Sequence, residues 1–206
     1  MRILITAGGT REYIDPVRFI SNASTGKMAY ALARAAIKAG HKVTLIAAPT
    51  ALRAPAKAKL IKVETAARMF QAVKTHFGKC DCLIMAAAVA DYRPAEKSKT
   101  KIKKDKARLT IELKPTRDIL KWAGKNKKHQ IVVGFALEDK NLRQNAERKL
   151  KEKNLDMIIA NRPAAIAAEK STVQIKTPNS AWLKLSNTTK QTIAKRIIRL
   201  IKEINT

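Results

Sequence analysis

The chain is poor in aromatic residues: two Trp, three Tyr and four Phe among 206 residues. Stacking platforms for single-stranded nucleic acid are built on such rings, and little is here to build one. Cysteine is equally scarce. Cys80 and Cys82 stand two apart at the head of an apolar run, poorly placed to bond each other and too few for a metal cage. They read as buried, reduced thiols of a cytoplasmic protein. No apolar run approaches the ~18 residues a membrane-spanning helix needs. The Ile3–Thr6 run after Met1-Arg2 is too short for the apolar core of a secretory signal. The three histidines, His41, His76 and His129, form no His-Glu-x-x-His or Cys-His cluster, so no dedicated metal cage is expected. Acid is the last shortage: 16 Asp and Glu face 43 Lys and Arg, a net charge of +27. That surplus fits either nucleic acid, held non-specifically and in a salt-sensitive way, or polyanionic small molecules. It carries no information about fold, and no helix-turn-helix, zinc-finger or RNP signature accompanies it.

What the chain does have is alternation. Apolar strand-like runs at residues 2–6, 42–47, 60–63, 82–86, 131–136 and 156–160 are separated by helical patterns at 24–39, 65–77, 117–123 and 140–153. Strands alternating with helices predict a parallel sheet wound on both faces. Ser24 reads as the cap of the first helix and Gly40 as its stop. A polar, lysine-heavy segment over about 91–108 reads as a flap, followed by an exposed strand at 109–113. A hairpin near 172–177 and 181–186 precedes a final amphipathic helix from about 188. The expectation is one α/β domain over residues 1–206: a doubly wound, Rossmann-like, mostly parallel sheet with a flap and a C-terminal hairpin plus helix. Ligands of such sheets bind outside the carboxyl ends of the strands.

Two glycines and a Gly-Lys turn stand where that crevice would be. Thr25-Gly26-Lys27 imitates the end of a phosphate-binding P-loop, but Ser21 replaces the required first glycine and Met28 the magnesium-binding hydroxyl. The first turn, Thr6-Ala7-Gly8-Gly9-Thr10, lacks the third glycine of a dinucleotide fingerprint. Tyr92 lacks a lysine four residues on, where Glu96 stands, which argues against a short-chain dehydrogenase. An anion is still favoured. Gly8 and Gly9 permit close backbone approach. Ser24, Thr25 and the amides of Gly26 and Lys27 precede a helix, whose N-terminus offers free N–H groups and positive potential.

The motifs as a set resemble phosphopantothenoylcysteine synthetases (phosphopantothenate–cysteine ligases). The resemblance rests on Gly8-Gly9-Thr10-Arg11-Glu12 through Asp15-Pro16-Val17-Arg18-Phe19-Ile20-Ser21-Asn22, and on Ser24-Thr25-Gly26-Lys27-Met28, where Thr25 replaces the family's second serine. It rests further on Ala86-Ala87-Ala88-Val89-Ala90-Asp91-Tyr92-Arg93-Pro94, Lys101-Ile102-Lys103-Lys104, Gly134-Phe135-Ala136-Leu137-Glu138 and Lys153-Asn154-Leu155-Asp156 with Ala160-Asn161. Together these span nearly the whole chain.

The resemblance implies a ligase of coenzyme A synthesis. 4'-Phosphopantothenate and a nucleoside triphosphate form an acyl-nucleotide and pyrophosphate; the amine of L-cysteine then displaces the monophosphate. It implies CTP rather than ATP, from the bacterial-type spellings, with magnesium arriving on the triphosphate. It also implies a homodimer whose flap reaches the partner's site. A stand-alone form without flavin is expected, with a separate decarboxylase acting on the product. By resemblance, Lys101 supports formation of the acyl-nucleotide, Asn22 contacts the acyl phosphate, and Arg18 and Ala88 join Asn22 at the substrate. The nucleotide falls to Gly8, Gly9, Thr10, Ser24, Thr25 and Gly26, to Met85, Ala86, Ala87 and Asp91, and to Phe135, Lys149 and Lys153. Lys101 reaches it from the flap. Arg117-Asp118-Ile119-Leu120 matches a nucleotide-contacting turn, with Arg117 where the family writes proline. From the residues alone, Arg18 has a second option, pairing with Asp15 or Glu12.

Overall fold

The computed structural model describes residues 1–104, 108–166 and 168–204. Its centre is an eight-stranded sheet in the order β12-β11-β10-β9-β6-β1-β4-β5. Six strands run parallel: β1 (Arg2–Ala7), β4 (Lys42–Ala47), β5 (Ala58–Lys62), β6 (Cys82–Met85), β9 (Ile131–Leu137) and β10 (Met157–Asn161). The hairpin β11 (Lys170–Lys176) and β12 (Leu183–Thr189) adds antiparallel to β10. The chain order turns outward on both sides of the β1–β6 pair, so a crevice opens there beyond the strand ends.

The strands are continuous apolar runs because both faces are covered. Alternate residues point opposite ways. Ile3, Ile5, Leu45, Ile84, Val133 and Ile159 pack under α1 (Lys27–Lys38) and α5 (Lys190–Ile204). Leu4, Ile46, Leu83, Val132 and Ile158 pack under α2 (Ala66–Phe77), α3 (Ile119–Asn126) and α4 (Leu142–Glu152). The two thiols are buried in these layers; burial, then the neighbouring Asp81 charge, pushes Cys80 up to about 12, and burial, then the Cys80 charge, raises Cys82 well above the ordinary thiol value. They are inert, structural thiols. No helix of the described residues is long and apolar enough to cross a membrane.

Several boundaries differ from the sequence expectation. The first helix begins at Lys27, not near residue 24, because Gly26 takes a left-handed conformation (φ +74°) and is itself the cap. Ser24 therefore does not cap it. Gly40 does end it: at φ +82° its N–H reaches the carbonyl of Ile37, and His41 N–H that of Ala36, the paired bonds of a Schellman stop. The exposed strand expected at 109–113 shrinks to β8 (Leu113–Pro115), pairing with β7 (Tyr92–Pro94). A proline ends each strand and supplies no N–H, so the ladder stays short. The sequence reading missed both this ribbon and a second one, β2 (Arg11–Tyr13) with β3 (Phe19–Ser21). Part of the flap, residues 105–107, lies outside the described residues.

Candidate active site

The end of β1 is built by close backbone approach. Gly8 has φ +78°, and a side chain there would meet the Ala48 carbonyl oxygen at 2.9 Å. A side chain at Gly9 would meet the Asn22 carbonyl oxygen at 2.8 Å. Both glycines thus serve the protein's own chain, and they bring residues 22–26 down onto the strand end. Thr10 is wholly buried; its Oγ1 accepts from Ala90 N–H at 2.9 Å. Thr6 Oγ1 accepts from Ala87 N–H at 3.2 Å. These two hydroxyls fix the 86–90 turn beside β1. Asn22 then donates its side-chain amide to the Val89 carbonyl at 3.0 Å. That leaves the second N–H of the same amide for a ligand.

Helix α1 points its N-terminus at this turn. Its cap, Gly26, has no side chain and its first turn carries no acid; only the long contact from Lys27 N–H to Thr25 Oγ1, 3.4 Å, meets its first amide. The amides that follow Lys27 and the positive end of the helix dipole face an anion entering here.

Across the crevice, Asp118 caps α3 by accepting from Lys121 N–H at 2.9 Å and pairs with Lys153 at 2.8 Å. Burial alone would raise the Asp118 carboxyl; Lys153 and the Lys121 amide outweigh it, and the net shift is downward. Lys149, one helical turn before Lys153, donates to the Phe135 carbonyl at 2.7 Å. Burial, then repulsion from Lys153, lowers its proton affinity. The sequence departure at Arg117 has a local role: its guanidinium lies over the Phe70 ring, 5.2 Å from the centroid.

These walls enclose a cavity of about 630 Å³. It brings together Asn22, Ser24, Thr25, Gly26, Met85, Ala86, Ala87, Ala88, Asp91, Arg117, Asp118, Ile119, Leu120, Phe135, Lys149 and Lys153. Gly8, Gly9 and Thr10 are not among its lining residues, and neither are Arg18 and Lys101. Arg18 takes its second option: Nε donates to Asp15 Oδ2 at 2.9 Å and its guanidinium reaches the Ile102 carbonyl. Ile102 N–H returns to Asp15 at 3.2 Å, and Ser98 N–H reaches the Ile14 carbonyl at 2.9 Å. The flap segment carrying Lys101 is stitched to the β2–β3 turn, outside its own chain's cavity.

The cavity is also lined by residues the sequence reading did not single out as sites: Lys27, apart from its amide, with Glu138, Asn161, Ser171 and Lys190. Lys190 opens a lysine-rich amphipathic helix, and nothing in its spacing marks it as turned inward. Among the described residues no cluster of three or more His, Cys, Asp or Glu side chains is placed to hold a metal.

The family model for the DNA/pantothenate metabolism flavoprotein C-terminal domain matches residues 1–204. The coenzyme A biosynthesis bifunctional protein CoaBC of Borreliella burgdorferi is 43% identical over 203 residues, covering 97% of this chain and 52% of that protein. Its Bacillus subtilis counterpart is 50% identical over 160 residues, covering 77% of this chain and 39% of that protein. The chain thus spans about half, or less, of these curated relatives. A crystal structure of the C-terminal domain of a CoaBC protein superposes with a TM-score of 0.87 at 41% identity, covering 98% of this chain and 94% of that one.

Proposed function

The chain belongs to the DNA/pantothenate metabolism flavoprotein C-terminal domain family, and from that premise we propose that it is a phosphopantothenate–cysteine ligase, joining 4'-phosphopantothenate to L-cysteine in coenzyme A synthesis. The observation that carries this reading is the Asn22 amide. It is held by Val89 at the mouth of a strand-end cavity, beside the N-terminus of α1, whose first turn carries no acid.

The substrate carboxylate attacks the α-phosphorus of a nucleoside triphosphate, CTP by the bacterial-type motif spellings, and pyrophosphate departs. The free N–H of Asn22 and the first amides of α1 are aimed where negative charge collects, and fixed dipoles cost no reorganisation as the reaction proceeds. Cysteine nitrogen then attacks the acyl carbon, losing a proton as the C–N bond forms and the nucleoside monophosphate leaves. Asn22 can donate to the acyl phosphate through both steps because it does not titrate. Magnesium enters as part of the nucleotide substrate. Of the three carboxylates lining the cavity, Asp118 is tied to Lys153 and Glu138 accepts from Asn145 at 2.9 Å, which leaves Asp91, too few for a protein cage and in keeping with a metal carried by the phosphates. Lys101 serves the site of a second copy: its segment is fastened to the ribbon outside its own cavity, where a homodimer would deliver it across the interface. A separate decarboxylase would take the product onward in the cytoplasm.

Pyrophosphate release is measured with 4'-phosphopantothenate, L-cysteine and magnesium, with CTP and ATP in parallel. The expected result is release that requires phosphopantothenate, is faster with CTP, and drops at least about a hundredfold in Lys101→Ala. The thermal midpoint of that variant stays unchanged, because Lys101 is exposed. No release with either nucleotide sinks the reading and moves the +27 charge to the fore, with nucleic-acid binding at physiological salt as the next assay.

A further inference from the structure

The cavity contains two lysine pairs, and their surroundings are opposite in sign. Lys149 and Lys153 are countered: Asp118 pairs with Lys153, and Glu138, Asp118 and Asp91 all act to raise the Lys149 proton affinity. Lys27 and Lys190 open α1 and α5, the two helices packed on one face of the sheet. Among the described residues no carboxylate pairs with either. Lys190 is only 8% exposed. Its Nζ donates to the Ala165 carbonyl at 3.0 Å and to that of Ala168, which aims the ammonium without neutralising it and leaves its third N–H unused. Burial, and after it the charge of Lys27, lowers its proton affinity. A buried ammonium with no counter-ion is costly to keep, and an anion placed between these two lysines removes the cost.

We propose that Lys27 and Lys190 form the pyrophosphate locus of the site. They take the β- and γ-phosphates of the triphosphate and retain pyrophosphate as it leaves, while the countered pair lies against the uncharged end of the nucleotide. The assignment of a nucleotide rests on the ligase reading; the anion locus rests on the two lysines alone. The split follows from Coulomb's law, since Asp118, Asp91 and Glu138 repel phosphate at one end and, among the described residues, no other carboxylate lines the cavity.

The test measures dissociation constants of CTP, CMP and inorganic pyrophosphate for the full chain and for Lys190→Gln, Lys190→Arg and Lys27→Gln, with ATP and AMP run alongside. Loss of a charge-assisted hydrogen bond weakens CTP and pyrophosphate about tenfold or more and leaves CMP within about twofold; Lys190→Arg restores part of the loss. Should Lys190→Gln fail to fold, Lys27→Gln, at an exposed position, carries the test. Equal losses for CTP and CMP overturn the proposal, because they mean that Lys190 only positions the wall. So does unchanged binding, or a wild-type chain that does not bind pyrophosphate. Pyrophosphate binding that depends on these lysines, in a chain that releases none from any nucleotide, upholds the locus and sinks the ligase reading.

Discussion

Five of the six residues of β1 are buried, and none of the three in β3 is. The first belongs to the eight-stranded sheet, the second to a ribbon beside it. Every side chain of β1 after Arg2 packs into one of two apolar layers or hydrogen-bonds within the floor of the site. The β2–β3 ribbon is fixed differently. Asp15 accepts from Val17 N–H at 2.8 Å, from Arg18 N–H at 2.7 Å, and from the Arg18 guanidinium and Ile102 N–H, while Val17 and Phe19 remain exposed at 58% and 40%. The sheet is held by area and the ribbon by separate polar contacts: Asp15 at its turn, Glu12 accepting from Ala66 N–H at 2.7 Å, and Tyr13 donating to Glu64 at 2.7 Å. Yet the ribbon and the flap stitched to it carry Arg18 and Lys101, and lead directly into Asn22. Damage to the sheet should therefore appear first as lost stability, and damage to the ribbon first as lost chemistry.

The largest effect expected on the sheet side is at Gly124, inside α3. An added Cβ would lie 1.8 Å from the Lys153 carbonyl oxygen and 3.2 Å from that of Asn154. Asn154, itself left-handed at φ +49°, donates to the Gly124 carbonyl at 2.9 Å. Helix propensity alone would favour alanine by about 1 kcal/mol. A backbone clash this deep costs more, about 3 kcal/mol or above, because neither backbone can yield without moving the Asp118–Lys153 pair. Gly124→Ala should lower the denaturation midpoint markedly; a midpoint equal to or above wild type would mean that α3 and the end of α4 are not docked backbone to backbone.

A smaller loss follows from Thr10→Val, which keeps shape and removes the hydroxyl that Ala90 N–H donates to in a buried setting. The orphaned donor costs about 1–3 kcal/mol. For a chain of this size that is about 2–4 °C of midpoint for each kcal/mol. Because the same turn holds Val89, the anchor of Asn22, turnover should fall alongside stability. Lost stability with wild-type turnover would detach the turn from the chemistry.

The same division explains what could be read from the sequence. Strands β1, β4, β6, β9 and β10 were legible because burial on both faces leaves unbroken apolar runs. The ribbons were not: three residues per strand give no period, and their fixing contacts are single polar groups, such as Asp15, Glu12 and Thr116, that the same sequence could equally have left in solvent. The start of α1 was misread because Ser24 has the chemistry of a cap, and only the left-handed Gly26 shows that the helix begins later. The site motifs came through resemblance, which carried Asn22 and the 86–91 turn to the cavity. It also offered Gly8, Gly9 and Thr10 as ligand contacts; the fold packs the two glycines closely against its own backbone and none of the three lines the cavity. Lys190 was hidden by company: among so many lysines, one turned inward has no signature.

Asp15→Asn should have the smallest effect on global unfolding, because the ribbon adds little buried area, and its consequence should be local. Burial alone would raise the Asp15 carboxyl, but the Arg18 guanidinium and the amides of Arg18, Val17 and Ile102 hold it well below the ordinary carboxylate range. A carboxylate depressed in the folded state contributes fully above its unfolded value, about 3.9, and loses that contribution as pH falls toward the folded value. Hydrogen-exchange protection at Ile14, Val17, Arg18 and Ile102 should therefore be flat from pH 7 to about 4.5 in the wild type and decline only in stronger acid. In Asp15→Asn it should already be reduced at pH 7 and lack that acid step, with the sheet amides unaffected in both. Wild-type protection of the ribbon in the variant would mean that packing, not Asp15, holds it, and the contrast between sheet and ribbon would fail.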